Sequence, residues 1–181
     1  MRTLTALIFS IVLLTKTATA QSVSIDNRAT GKQLTADLTA AITKVNDYWQ
    51  SHHSPKCRAF WDHAAYFTAN QKVYERTHKK EYLDYALAWA EYNHWKGATQ
   101  TDKRQWQYKT YGEGINHVLF ADWQICFQVY IDLYKLEHRA ERIERALEVM
   151  CHQASTSEKD YWWWSDALYL NLPTSSEIYT I

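Results

Sequence analysis

Glycine and proline are scarce in this chain, with 4 and 2 among 181 residues. With so few helix breakers, and apolar residues recurring at helical rather than alternating spacing, the chain is expected to be almost entirely α. Cysteine is scarce too. Cys57, Cys126 and Cys151 are too few and too scattered for a disulfide scaffold or a close-spaced zinc site, although one pair could bridge after export and leave an odd thiol. Excess charge is absent: 20 basic and 20 acidic residues cancel, which removes any general attraction to nucleic acid or anionic lipid and leaves only local patches for a polyanion. No stretch reaches the roughly 20 consecutive apolar residues of a membrane-spanning helix. Familiar catalytic signatures are missing as well. His52 and His53 are adjacent, not at helical ligand spacing, while His63, His94 and His117 are dispersed, so no metal is expected. There is no GxSxG elbow, and Gly112-Glu113-Gly114 lacks the strand, third glycine and helix of a nucleotide loop, so it reads as a turn.

What the chain does have begins at its first residues. Arg2 precedes an apolar run from Leu4 to Leu14 that ends in the small-residue pattern Ala18-Thr19-Ala20, the build of a cleavable secretory signal. Residues 1–20 are therefore expected to direct export, to the periplasm or outside the cell, and residues 21–181 to form one domain. Aromatic residues are abundant, with 9 Trp, 13 Tyr and 5 Phe. That is more ring surface than the core of such a domain requires, and it fits either sugar-stacking platforms or a core built from large residues.

The periodic segments run from Leu34 to Gln50, His63 to Thr77, Glu81 to Trp95, Val118 to Leu136 and Arg139 to Gln153, with a further start near Ser165. Sliding the sequence by 60 places Phe60, Asp62, Phe67, Tyr74, His78, Glu81, Ala86 and Leu87 on Phe120, Asp122, Phe127, Tyr134, His138, Glu141, Ala146 and Leu147. The register holds without a gap through two segments, so it describes a repeated helical hairpin. Stacked hairpins bury their apolar faces only against one another, in an open solenoid or a closed toroid.

The repeat also locates carboxylates. Asp62 and Asp122 occupy equivalent places near the start of a hairpin, and Asp166 enters the next unit after Trp162, Trp163 and Trp164. Three carboxylates on one aromatic rim would suit acid and base chemistry on a sugar. Each has a plainer alternative. Asp62 or Asp166 could simply cap a helix. Asp122 falls beside the apolar stripe of Leu119, Trp123, Cys126, Tyr130 and Leu133, where a charge must be paired, for instance with Arg58, or face a wet pocket.

Several segments resemble the unsaturated rhamnogalacturonyl hydrolases of glycoside hydrolase families 88 and 105. They are Phe60-Trp61-Asp62-His63-Ala64-Ala65-Tyr66-Phe67-Thr68, Tyr82-Leu83-Asp84-Tyr85-Ala86 with Trp89-Ala90-Glu91, the run from Asp122 to Tyr134, and Trp162-Trp163-Trp164-Ser165-Asp166-Ala167-Leu168-Tyr169-Leu170. In family order they cover the chain from about Cys57 to Pro173. The chain departs from the pattern at Trp123, where many relatives have a second aspartate, and at Phe127, where they have a small residue.

The resemblance implies an all-α fold of helical-hairpin repeats belonging to an (α/α) six-hairpin toroid, present here as roughly half of the ring. It also implies release of a 4,5-unsaturated galacturonyl residue from pectin-derived oligosaccharides by hydration of the double bond, without a metal or organic cofactor. Carried over by position, Asp166 is the general acid and base and Asp122 the second carboxylate. Trp164 shapes the sugar site, with Trp163, Trp61, Asp62 and His63 at its edge. The expected partner is an oligosaccharide, with self-association available through the open side of the half toroid. The alternative is an inactive homologue, or a carbohydrate-binding module using the aromatic rim.

Overall fold

The computed structural model describes residues 27–178; the signal-like segment of residues 1–20 lies outside them. Among the described residues there are six α-helices and no strand: α1 (Asn27–His52), α2 (Trp61–Thr77), α3 (Lys80–Tyr92), α4 (Cys126–Leu136), α5 (Glu144–Ser155) and α6 (Ala167–Ile178). None is long and apolar enough to cross a membrane. Helix α2 packs on α1, α3 and α4, and α4 packs in turn on α6, while α5 lies against α6. The helices thus form two layers, with α2, α4 and α6 in one and α1, α3 and α5 in the other, which is the hairpin arrangement of part of an α/α toroid.

Helical spacing explains which residues close the core. On α2 and the capping residue before it, Phe60, Ala64, Phe67 and Gln71 recur every three or four residues and are all buried; on α3 the matching set is Tyr82, Ala86, Trp89 and Ala90. Trp89 lies flat on Phe67, with ring centroids 4.1 Å apart, and tilts against Tyr130 of α4 at 5.6 Å. Helix α4 is buried on most of its circumference because α2, α3 and α6 all contact it. Two buried arginines tie α5 inward. Arg142 donates to the Leu133 carbonyl at the end of α4, at 2.7 Å, and Arg145 donates to the carbonyls of Ala98 and Gln100, at 3.0 and 2.7 Å. Their aliphatic stems and guanidinium planes also cover Trp95 and Trp106.

The hairpin repeat is present where the sequence places it, but several helix boundaries move: α1 begins at Asn27 rather than Leu34, α5 at Glu144 rather than Arg139, and two others shift for visible reasons. The segment expected to run to Trp95 stops at Tyr92, because His94 and Trp95 adopt left-handed backbone conformations, with φ of 52° and 57°. The helix expected from Val118 begins only at Cys126. Its first residues are diverted into the long connection: Leu119 donates to the Gln107 carbonyl and Gln107 to that of Asn116, and Ala121–Trp123 forms a tight 3-10 turn. That turn carries Asp122. It is pressed close to the start of the connection at Gly97, where a Cβ would lie 1.9 Å from the Trp123 carbonyl oxygen. The three cysteines are free thiols.

Helix α6 contains Pro173, which has no N–H to offer the Tyr169 carbonyl one turn back. Gln128 of α4 supplies the missing donor: its Nε2 lies 2.9 Å from the Tyr169 carbonyl oxygen and 3.0 Å from that of Leu170. Truncating it removes the side-chain bridge that answers the proline. Gln128→Ala is expected to destabilise the chain by about 1 kcal/mol in urea unfolding followed by circular dichroism. In a Pro173→Ala background the helix regains its own donor, so the same truncation should cost clearly less; equal costs in both backgrounds would refute the compensation.

Candidate active site

The start of α2, the 3-10 turn before α4 and the start of α6 converge at one end of the two layers. Between them lies a pocket of about 280 Å³ lined by Trp61, Tyr111, Asp122, Trp164, Asp166 and Leu170. Four sequence-predicted residues meet here: Asp122, Asp166, Trp164 and Trp61. Trp61 stands 47% exposed at the mouth, and Asp166 is exposed one residue before α6. Among the described residues no backbone amide donates to the Asp166 carboxylate, so the capping alternative has no hydrogen bond to support it.

The pocket walls rest on core rings. Phe120, fully buried, meets Trp164 edge-on at 4.7 Å and Tyr111 at 5.8 Å. Its repeat partner Phe60, also fully buried, packs on Trp123 at 4.7 Å and immediately precedes Trp61. Trp163 does not line the pocket. It donates from Nε1 to the Tyr108 carbonyl at 3.1 Å and braces Trp164 edge-on at 3.9 Å.

Asp62 and His63 sit beside the pocket rather than in its lining. Arg58, one helical turn earlier, grips the Asp62 carboxylate through Nε and Nη2, the latter at 2.5 Å, and His63 adds its backbone N–H and Nδ1. Burial pushes the Asp62 pKa up, but the hydrogen bonds from Arg58 and His63 outweigh it and hold the carboxyl below its ordinary value. Arg58 also reaches Glu113 across the connection, Nη1 to Oε2 at 2.5 Å, and Glu113 accepts the Tyr111 hydroxyl at 2.5 Å. The glycine-flanked turn is therefore more than a turn. Its glutamate links the α2 entry to a pocket-lining tyrosine. Neither Tyr111 nor Glu113 is marked in the sequence as a site residue, since both lie in a connection without periodicity.

Among the described residues Asp122 has no such partner. It is 6% exposed, and Arg58, the base that could have neutralised it, is committed to Asp62 and Glu113. The repeat states the difference: the position equivalent to Arg58 is Val118. Burial in the pocket wall, then the nearby negative charges of Asp166 and Glu113, raise the Asp122 pKa to about 6. Two carboxyls thus share one aromatic-walled pocket, one exposed and one raised into the range where a proton is exchanged near neutral pH. Among the described residues no group of three or more His, Cys, Asp or Glu side chains could hold a metal ion.

The model of Glycosyl Hydrolase Family 88 matches residues 35–181. A solved glycosyl hydrolase family 88 protein from Bacteroides vulgatus superposes with a TM-score of 0.78 at 50% sequence identity, over 80% of this chain and 41% of that one. A solved polysaccharide lyase is as similar, with a TM-score of 0.77 and 51% identity over 80% of this chain and 41% of that one. The chain therefore spans less than half the length of both. No curated protein matches it. The pocket, the layered hairpins and the matched residues together place this chain in glycosyl hydrolase family 88.

Proposed function

We propose that the chain carries the catalytic carboxylates of a glycosidase that releases a 4,5-unsaturated galacturonyl residue from rhamnogalacturonan oligosaccharides by hydrating the double bond. The observation that carries this reading is the pairing of Asp122 and Asp166 in one aromatic-walled pocket, with the Asp122 pKa raised to about 6. In the proposed reaction Asp166 delivers a proton to one carbon of the double bond and, then a carboxylate, takes a proton from the water whose hydroxyl adds to the other carbon, which regenerates the acid. The resulting hemiketal opens and the sugar leaves. Asp122 binds the sugar and, with its raised pKa, shares the protonation task. Trp61 and Trp164 offer ring faces to the sugar.

A second reading has one observation in its favour, the likeness to a polysaccharide lyase. The same assay separates the two, because hydration consumes a conjugated double bond and elimination creates one. Unsaturated rhamnogalacturonan disaccharide incubated with the chain should lose its ultraviolet absorbance, and Asp166→Asn should abolish that loss while disaccharide binding persists. Absorbance rising on a saturated polymer would favour the lyase. Sugar binding with neither change would favour a binding module.

Asp122 generates a prediction that does not depend on turnover. Its folded-state pKa of about 6 lies above the ordinary 3.8, so between those values the folded chain keeps a proton that the unfolded chain releases. Folding stability then falls as pH rises through this window. Asp122→Asn mimics the protonated state and should stabilise the chain at pH 7 by about 1–2 kcal/mol, a figure discounted for water in the pocket. Below about pH 4 the gain should vanish. Thermal unfolding of both proteins across pH gives the answer, and a pH-independent difference would refute the raised pKa.

Leu34, Leu38, Ile42 and Val45 form an exposed apolar stripe on α1, and Leu168 and Leu172 are exposed on α6. The proposal extends to self-association through these faces. Sedimentation velocity of purified chain should detect concentration-dependent dimers, reduced by Val45→Glu; a monomer at all concentrations would refute it.

A further inference from the structure

Tyr111 occupies an unusual position for an exposed side chain. It is 61% exposed, yet both ends of its ring are fixed: the edge by Phe120 at 5.8 Å, and the hydroxyl by Glu113 at 2.5 Å. The Glu113 carboxylate uses its other oxygen to accept from Arg58, whose remaining nitrogens are locked on Asp62 and whose plane lies 4.7 Å over the Phe60 ring. An exposed tyrosine ordinarily samples several rotamers, and immobilising it costs entropy. Here five residues, Phe120, Glu113, Arg58, Asp62 and Phe60, form the chain of contacts that holds one ring in the lining of the pocket, which Trp61 and the two carboxyls also line.

Resting on the glycosidase reading above, we infer that Tyr111 is a substrate-contacting residue whose ring forms a wall of the sugar site, and that Arg58, acting through Glu113, is the residue that positions it. A pre-set ring contacts a sugar without the cost of ordering it on binding, so the gain is in affinity. The charges on this chain of contacts agree with the assignment. The hydrogen bond to Glu113 raises the Tyr111 pKa, keeping the phenol protonated as the donor, and the Tyr111 hydrogen bond, followed by Arg58, holds the Glu113 carboxyl below its ordinary value. Asp62 then has a role that differs from that of its repeat equivalent Asp122. It anchors the guanidinium, and lies outside the pocket lining.

The test uses the full chain carrying Asp166→Asn, so that unsaturated rhamnogalacturonan disaccharide is not consumed, with binding read from quenching of tryptophan fluorescence. Tyr111→Ala should weaken binding about tenfold and Arg58→Gln by about three- to tenfold, while the double variant should bind no more weakly than Tyr111→Ala alone. In the chain with Asp166 intact, Tyr111→Ala should raise KM by a similar factor and change kcat far less. Circular dichroism monitors folding, and Glu113→Ala, which removes the link between Arg58 and Tyr111 while leaving the Arg58–Asp62 pair, replaces Arg58→Gln if that variant misfolds. Unchanged affinity in Tyr111→Ala, or no binding by the parent chain, would overturn the assignment of Tyr111. Losses that multiply in the double variant would overturn the positioning role of Arg58. Failure of the glycosidase reading looks different: binding that depends on Tyr111 in a chain that turns nothing over.

Discussion

Phe60 and Phe120 occupy the same place in successive hairpins, and both are completely buried. Each drives its ring into the core where a chain segment enters the inner helical layer, so the residues that follow emerge at fixed points on the rim. Trp61 and Asp62 follow the first, and Ala121 and Asp122 follow the second. The second ring also supports Trp164 and Tyr111 edge-on. Because interiors are close-packed and tolerate little displacement, burial of these two rings sets the spacing between the pocket's carboxyls and its aromatic walls. The Gln128 bridge to the proline-interrupted α6 then ties the Asp122 side of the pocket to the Asp166 side.

The charge pattern of the rim follows from what the repeat does not copy. Four carboxylates, Asp62, Glu113, Asp122 and Asp166, gather around this end of the molecule. Arg58 neutralises the first two directly. Had the second hairpin retained a base four residues before its aspartate, Asp122 would form the same i,i+4 pair and ionise readily. Val118 stands there instead. An aspartate with an apolar neighbour in place of its counterion, facing a second carboxyl, is pushed toward the protonated form. Deeper burial at Asp122, together with Val118 in place of a base, thus separates it from Asp62, which is held as an ion by Arg58.

The sequence makes the helical class, the hairpin repeat and the convergence of Asp122, Asp166, Trp61 and Trp164 legible, because each rests on spacing along a helix or at its start. The α4 boundary is not legible. Val118 to Ile125 is as apolar and as periodic as the helix that follows, but its backbone donors are drawn to Gln107 and to tight-turn carbonyls, which a side-chain pattern does not record. Equivalence within the repeat is also an incomplete guide, since it sets Asp62 and Asp122 side by side while their surroundings differ. Tyr111 and Glu113 lie where spacing carries no information. A glutamate between two glycines and next to a tyrosine gains its meaning only when Arg58, 55 residues away, closes onto it.

The aromatic richness of the chain resolves into two populations in contact with each other. Phe67, Trp89 and Tyr130 stack inside the core, while Trp61, Tyr111 and Trp163 reach solvent. The outer rings are not loose additions to the surface. Trp164 and Tyr111 lean on Phe120, and Trp163 leans on Trp164 while donating its N–H to the backbone. Core and rim rings are successive layers of one packed cluster, so the large-residue core accounts for only part of the ring surface and the remainder reaches solvent around the pocket. A pocket wall built in this way inherits the rigidity of the interior behind it. It presents flat apolar faces without the entropy cost that mobile side chains would add.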